Sequence, residues 1–147
     1  MRVLLQRVTH ADVSVEGEVL GSIGPGLMAL VGVGPDDTAE IATTLASKSV
    51  DLRIFRDDEG RTNRSLIEVG GAMLVVSQFT LYGDTRKGRR PSFIGAAPPD
   101  LAAELVEVFS TAVEARDVEV GRGRFGAEMT VELVNDGPMT IWLDSDA

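Results

Sequence analysis

Apolar residues recur along this chain with two different periods, and the switches between them mark out its elements. Val3 to Val8 is rich in leucine and β-branched residues and predicts a strand. Val13 and Val15 alternate with Asp12, Ser14 and Glu16, the period of a half-buried strand. Gly17-Glu18 turns the chain, and Val19 to Ile23 returns as the second arm of a hairpin. After a turn at Gly24-Pro25-Gly26, Leu27 to Val33 is apolar with hardly a break, as in a central strand buried on both faces.

The period then lengthens. Gly34-Pro35-Asp36-Asp37 ends the run and caps a helix expected from Thr38 to Val50, with Ile41, Ala42, Leu45 and Ala46 on one face. Leu52 to Phe55 reads as a short strand, Asp57-Asp58-Glu59-Gly60 as a turn, and Ala72 to Tyr82 as a strong strand. Pro98-Pro99-Asp100 opens a second helix. Leu101, Leu105, Val108, Phe109 and Ala112 form its apolar stripe, and Glu104, Glu107 and Glu114 line the other side. Met129 to Val134 alternates as a strand, Asn135-Asp136-Gly137-Pro138 turns, and Met139 to Leu143 is expected to pair back. The order predicts an α+β fold: a mostly antiparallel, barrel-like sheet with two helices packed on one side. No repeat or linker interrupts it, so residues 1–147 are expected to form a single domain.

Composition narrows the chemistry. The chain has no cysteine, which excludes disulfides, cysteine zinc sites and a cysteine nucleophile. A single histidine, His10, excludes two-histidine metal sites. No run is long and apolar enough to span a membrane, and Met1 to Arg7 lacks the apolar core of a signal peptide, so a cytoplasmic location is expected. The net charge of −9 argues against a general nucleic-acid binder. That charge is uneven, however: from Asp100 onward eleven acidic residues face three basic ones. The densest basic stretch is Arg86-Lys87-Gly88-Arg89-Arg90, either a solvated loop or a local phosphate contact.

Conventional side-chain catalysis is poorly supplied. A serine triad would need His10, which sits at a strand end and reads as a surface residue. The acidic pairs fall on helix faces and turns, and neither a P-loop nor a dinucleotide fingerprint is present. Two segments remain. Ser77-Gln78-Phe79-Thr80-Leu81-Tyr82 puts hydroxyls, an amide and aromatics at the end of an apolar strand, which is either a satisfied polar network or a site. Asn135-Asp136-Gly137-Pro138-Met139-Thr140 is an ordinary turn by composition, although glycine before proline permits unusual backbone angles.

Together these segments resemble the D-aminoacyl-tRNA deacylase family. The resemblance extends through Gln6-Arg7-Val8, Val13-Ser14-Val15-Glu16-Gly17, Arg53-Ile54-Phe55, Arg90-Pro91-Ser92-Phe93 and Gly123-Arg124-Phe125-Gly126-Ala127-Glu128-Met129. Order and spacing fit across nearly the whole chain; one departure is Met139, where valine is frequent in the family.

The resemblance implies a homodimer without metal or cofactor that hydrolyses the ester joining a D-amino acid to tRNA. It also implies removal of glycine from mischarged alanine tRNA. Gly137-Pro138 would form a cis peptide inserted into the partner subunit's site, where rigid backbone excludes an L side chain. Ser77, Gln78 and Phe79 would face the aminoacyl ester and terminal adenosine, with backbone N–H groups and the Gln78 amide steadying the oxyanion. Phe125 and Met129 match pocket-lining positions, and Arg7 a residue that braces the Gly-Pro element. Thr80 is the nucleophile candidate by residue type, but no base accompanies it. The resemblance implies reliance instead on the 2′-OH of the RNA. Placed after the site strand, the basic loop at Arg86 to Arg90 would meet tRNA phosphates. Two other readings are an L-alanine-removing editing enzyme of the same fold and a non-catalytic RNA-binding module.

Overall fold

The computed structural model describes residues 1–147. Its spine is β1, Arg2–Val15, which has partners along both edges. On one edge it pairs antiparallel first with β3 (Gly26–Gly32), from Arg2 opposite Gly32 to Val8 opposite Gly26. Further along that edge it pairs with β2 (Glu18–Ile23). On the other edge it pairs antiparallel with β8 (Thr130–Asp144). Beyond β3 the sheet continues in parallel through β6 (Ala72–Ser77) to β7 (Val120–Arg122). β7 then comes back against β2: a Cβ on Gly21 would lie 2.8 Å from the Arg122 carbonyl oxygen. The sheet is thus nearly closed into a barrel. β4 (Phe55–Arg56) and β5 (Thr62–Arg64) form a separate small ribbon.

Two helices cover one face of the sheet. α1 (Ala39–Asp51) starts at Thr38, whose hydroxyl accepts from the Ile41 N–H at 3.3 Å. α2 (Pro99–Glu114) starts on a proline, which needs no hydrogen-bond acceptor for its nitrogen there. Ala42, Leu45 and Ala46 of α1 and Leu105, Phe109 and Val113 of α2 are buried against Val3, Leu5, Leu27, Val31, Met73 and Val75. The opposite faces of the same strands build a second core inside the curled sheet, from Val8, Val13, Ile23, Met28, Leu74 and Val76. A strand with core on both faces must be apolar at every position, which explains the unbroken run in β3.

Several expected boundaries shift. The two N-terminal strands are one, because bulges in the pairing with β8 between Gln6 and His10 absorb the exposed Thr9 and His10 that interrupt the alternation. The strand expected to run to Tyr82 ends at Ser77, and Phe79–Tyr82 form a 3-10 turn. That turn packs onto Gly32, where a Cβ would stand 2.9 Å from the Gln78 carbonyl oxygen and 3.1 Å from the Leu81 Cβ. The Leu52–Phe55 strand reduces to Phe55–Arg56, and β7, three residues long and containing Gly121, was not expected. The largest correction concerns Asn135-Asp136-Gly137-Pro138. It reverses nothing: β8 stays on β1 before and after it, with Asn135 opposite Val8 and Thr140 opposite Gln6. Residues 136–139 bulge out of the sheet opposite Arg7.

Candidate active site

A half-open cleft of about 600 Å³ lies between the end of β6, the start of α2 and the segment that follows β7. Thirteen of its eighteen lining residues are hydrophobic, so its interior suits an uncharged group. Ser77, Gln78, Phe79, Phe125 and Met129 all line it, so the structure brings together five residues expected at the site. Phe93 adds an aromatic wall edge-on to Phe79, with ring centroids 5.3 Å apart. The only ionised side chain in the lining is Glu128.

The polar end of the cleft follows from how β6 stops. The Gln78 N–H makes the last rung with β3, donating to the Val31 carbonyl at 2.8 Å. The chain then tightens: Leu81 N–H donates to Gln78 O at 3.2 Å and Gly83 N–H to Thr80 O at 2.9 Å. The first N–H groups of such a turn, at Phe79 and Thr80, have no carbonyl within it to bond. The Gln78 side-chain amide donates to the Thr80 hydroxyl. Thr80 is exposed and lies outside the cleft lining. No histidine serves the cleft, since His10 is exposed on β1, and no three acidic or histidine side chains converge to hold a metal.

A clamp holds the far side of the turn. Arg2 donates to the Leu81 carbonyl at 2.9 Å, and its guanidinium stacks 4.4 Å from the Tyr82 ring centroid. Burial, with a smaller contribution from Asp37, pushes the Tyr82 phenol above its ordinary range, so the ring remains neutral.

The structure separates Gly137 and Pro138 from this cleft; neither lines it. The peptide bond between them is cis. Arg7, only 3% exposed, reaches the bulge from beneath: its Nε donates to Asp136 O at 3.1 Å, and its Nη1 to Ile54 O at 2.6 Å. Arg56 and Asn135, not expected to brace the bulge, complete the hold on it. Arg56 pairs with the Asp136 carboxylate at 2.7 Å and donates to Gly137 O at 3.4 Å. The Asn135 amide donates to Arg7 O at 2.9 Å and Met139 O at 3.1 Å. Arg56 follows Arg53-Ile54-Phe55 and Asn135 opens the segment that ends at Thr140, but the bonds from Arg56 to Asp136 and from Asn135 to Arg7 join residues far apart in sequence, which no local pattern reveals. Hydrogen bonding from Arg56, with Arg7 adding attraction, holds the Asp136 carboxyl below the usual aspartate range against partial burial. Its contribution to the brace is present above the unfolded-chain value and is lost as pH falls through the depressed one.

A half-open, largely apolar cleft with a polar, N–H-bearing end is an arrangement suited to acyl chemistry on an uncharged ester. The chain as a whole has close relatives by sequence. The chain is 61% identical to a D-aminoacyl-tRNA deacylase of Roseiflexus castenholzii over 99% of its own length and 92% of the relative's. It is 56% identical to a D-aminoacyl-tRNA deacylase of Deinococcus deserti, over 98% of this chain and 99% of the other. Among solved structures, the c-Myc DNA Unwinding Element Binding Protein superposes with a TM-score of 0.92 at 36% identity, covering 100% of both chains. A probable eukaryotic D-amino acid tRNA deacylase, 23% identical, shares the fold with a TM-score of 0.84 over 97% of each chain. The protein is therefore an enzyme, a hydrolase acting on ester bonds. The family model for D-Tyr-tRNA(Tyr) deacylase matches residues 4–144, and the chain belongs to that family.

Proposed function

We propose that this protein hydrolyses the ester linking a D-amino acid to the 3′ end of tRNA, releasing the free amino acid and intact tRNA. The observation that carries this reading is the cleft itself. It joins an apolar interior, walled by Phe79, Phe93 and Phe125, to a polar end at Ser77 and Gln78, in a chain of the deacylase family. The aromatic walls suit a terminal adenine, and the Phe79 N–H with the Gln78 amide is suited to an oxyanion.

The chain's own residues orient the ester and stabilise charge rather than attack it. Thr80 has no neighbouring base, and its hydroxyl accepts a bond from Gln78. The substrate carries a hydroxyl beside the ester, the 2′-OH of the terminal ribose, close enough to assist attack by water. Water adds to the carbonyl carbon, the oxyanion collapses, and the ribose 3′-oxygen leaves with a proton.

In this reading the enzyme acts as a homodimer, and Gly137-Pro138 of one subunit enters the cleft of the other. Support comes from the brace: Arg7, Arg56 and Asn135 hold a bulge that presents exposed Gly137 and Pro138 away from their own cleft. Backbone at that position excludes an L side chain by contact, while glycine, having no side chain, is accepted. Glycyl-tRNA mischarged on alanine tRNA is thus a second substrate. The whole chain, residues 1–147, acts as one deacylase domain in the cytoplasm.

The test compares D-tyrosyl-tRNA with L-tyrosyl-tRNA. Release of D-tyrosine is expected to be at least 100-fold faster, about 2.7 kcal/mol of discrimination. Equal rates, or no release of D-tyrosine, overturn the reading, and release of L-alanine alone from a mischarged tRNA assigns the protein to L-alanine editing.

A further inference from the structure

The chain holds fourteen lysines and arginines. Eight of them, Arg86 included, are in ion pairs with acidic side chains. Six have no acidic partner: Lys48, Arg53, Lys87, Arg89, Arg90 and Arg124. Lys48 lies in the last turn of α1, whose dipole it complements, and Arg53 is engaged by Asn63. The remaining four stand on two loops that border the cleft. Lys87, Arg89 and Arg90 are exposed on a loop whose base is closed by a bridge between Asp84 and Ser92, next to Phe93 of the cleft wall. Arg124 is exposed beside Phe125, another wall residue.

On a protein of net charge −9, four unpartnered cations on two loops that border one cleft are not an average surface. The interior cannot use them: it is apolar, and its one ionised lining side chain, Glu128, repels anions. We propose that Lys87, Arg89, Arg90 and Arg124 form a phosphate-binding rim that holds the backbone of a single-stranded RNA end while the uncharged ester enters the cleft. The proposal rests on the deacylase reading for the identity of that RNA. It also leaves one member of the basic loop out. Arg86 is held by both oxygens of Asp84, at 2.9 and 2.6 Å, and offers no net charge to a phosphate.

Each phosphate contact to a single strand contributes about 0.7 to the salt dependence of binding, and to a duplex about 0.9. Replacing one rim cation by glutamine is therefore expected to weaken RNA binding roughly five- to eightfold at about 0.1 M salt. The experiment measures binding of labelled, uncharged tRNA to the full-length protein by fluorescence anisotropy across a salt series. Lys87→Gln, Arg89→Gln, Arg90→Gln and Arg124→Gln are tested singly and together, beside Arg86→Gln. Hydrolysis of D-tyrosyl-tRNA and of D-tyrosyl-adenosine, which has no phosphate, is followed in parallel.

The rim predicts a slope that falls by about 0.7 with each rim substitution, little change for Arg86→Gln, and unchanged hydrolysis of D-tyrosyl-adenosine by the quadruple variant. An unchanged slope in the quadruple variant, or an equal loss in Arg86→Gln, overturns the rim even if D-tyrosyl-tRNA is hydrolysed. Equal loss of activity on D-tyrosyl-adenosine overturns it too, because the cations would then be serving the cleft. If the slope falls as expected and neither ester is hydrolysed, the rim stands and the deacylase reading falls.

Discussion

Thr80 has the right atom for a nucleophile and the wrong surroundings. Its hydroxyl faces solvent beside the cleft and receives a hydrogen bond from the Gln78 amide. That bond engages Gln78, which lines the cleft, with a residue that does not. Thr80→Ala is expected to keep turnover within about tenfold of the unaltered enzyme, under 1.4 kcal/mol of barrier, in steady-state deacylation of D-tyrosyl-tRNA. A loss of a thousandfold or more in a folded protein would restore Thr80 as the nucleophile. At this scale much of the site was legible: Ser77, Gln78 and Phe79 end an apolar run in a way local pattern makes visible. The bracing roles of Arg56 and Asn135 were not, because they depend on β4 and β1 meeting β8, which only the folded chain brings about.

At the scale of elements, the cleft depends on how closely the 3-10 turn Phe79–Tyr82 lies on β3. Gly32 stands opposite Arg2 in the sheet, and its missing side chain admits the Gln78 carbonyl and Leu81. Arg2 fastens the turn from the other side through Leu81 O and the Tyr82 ring. A Cβ at position 32 would meet backbone, which cannot swing aside as a flexible side chain can. Gly32→Ala is expected to cost about 1–3 kcal/mol in urea unfolding and, in addition, to lower turnover by shifting the N–H groups that follow Gln78. Unfolding midpoint and turnover measured on the same preparation check this; turnover unchanged at a lower midpoint would separate the turn's position from catalysis. The sequence could not show this dependence. Periodicity carried the strand on to Tyr82, because Leu81 and Tyr82 are apolar in character and the reason for the break sits on another strand.

At the scale of the whole molecule, the fold class was readable because both helices and β3 are long enough for burial to impose a period. The bulge at 136–139 was misread as a reversal, since glycine and proline mark a departure from the sheet without saying whether the strand resumes. Its role can be tested with the protein intact. A Cβ on Gly137 would meet only the Asn135 side chain at 3.5 Å, an ordinary contact, so Gly137→Val should fold normally. In the proposed dimer it should nevertheless be inactive, because the added side chain would enter the partner's cleft. Gln78→Ala should be impaired in its own cleft. Mixed at equal amounts after subunit exchange, the two variants should regain about a quarter of full activity, since half the dimers are hybrids with one intact site of two. No recovery, in hybrids shown to have formed, would place both motifs in the service of one chain.

β1 acts as a ruler. Arg2 fastens the turn beside the cleft and Arg7 fastens the bulge, and both belong to this one strand. Their separation is an odd number of residues, so they emerge from opposite faces, about 17 Å apart along the strand. A chain measured out in this way holds the turn beside the cleft and the bulge at a fixed separation. In the proposed dimer, two such rulers laid against each other bring each bulge to the other's cleft. Activity is then expected to depend on concentration, and dilution that parts the subunits is expected to lower turnover.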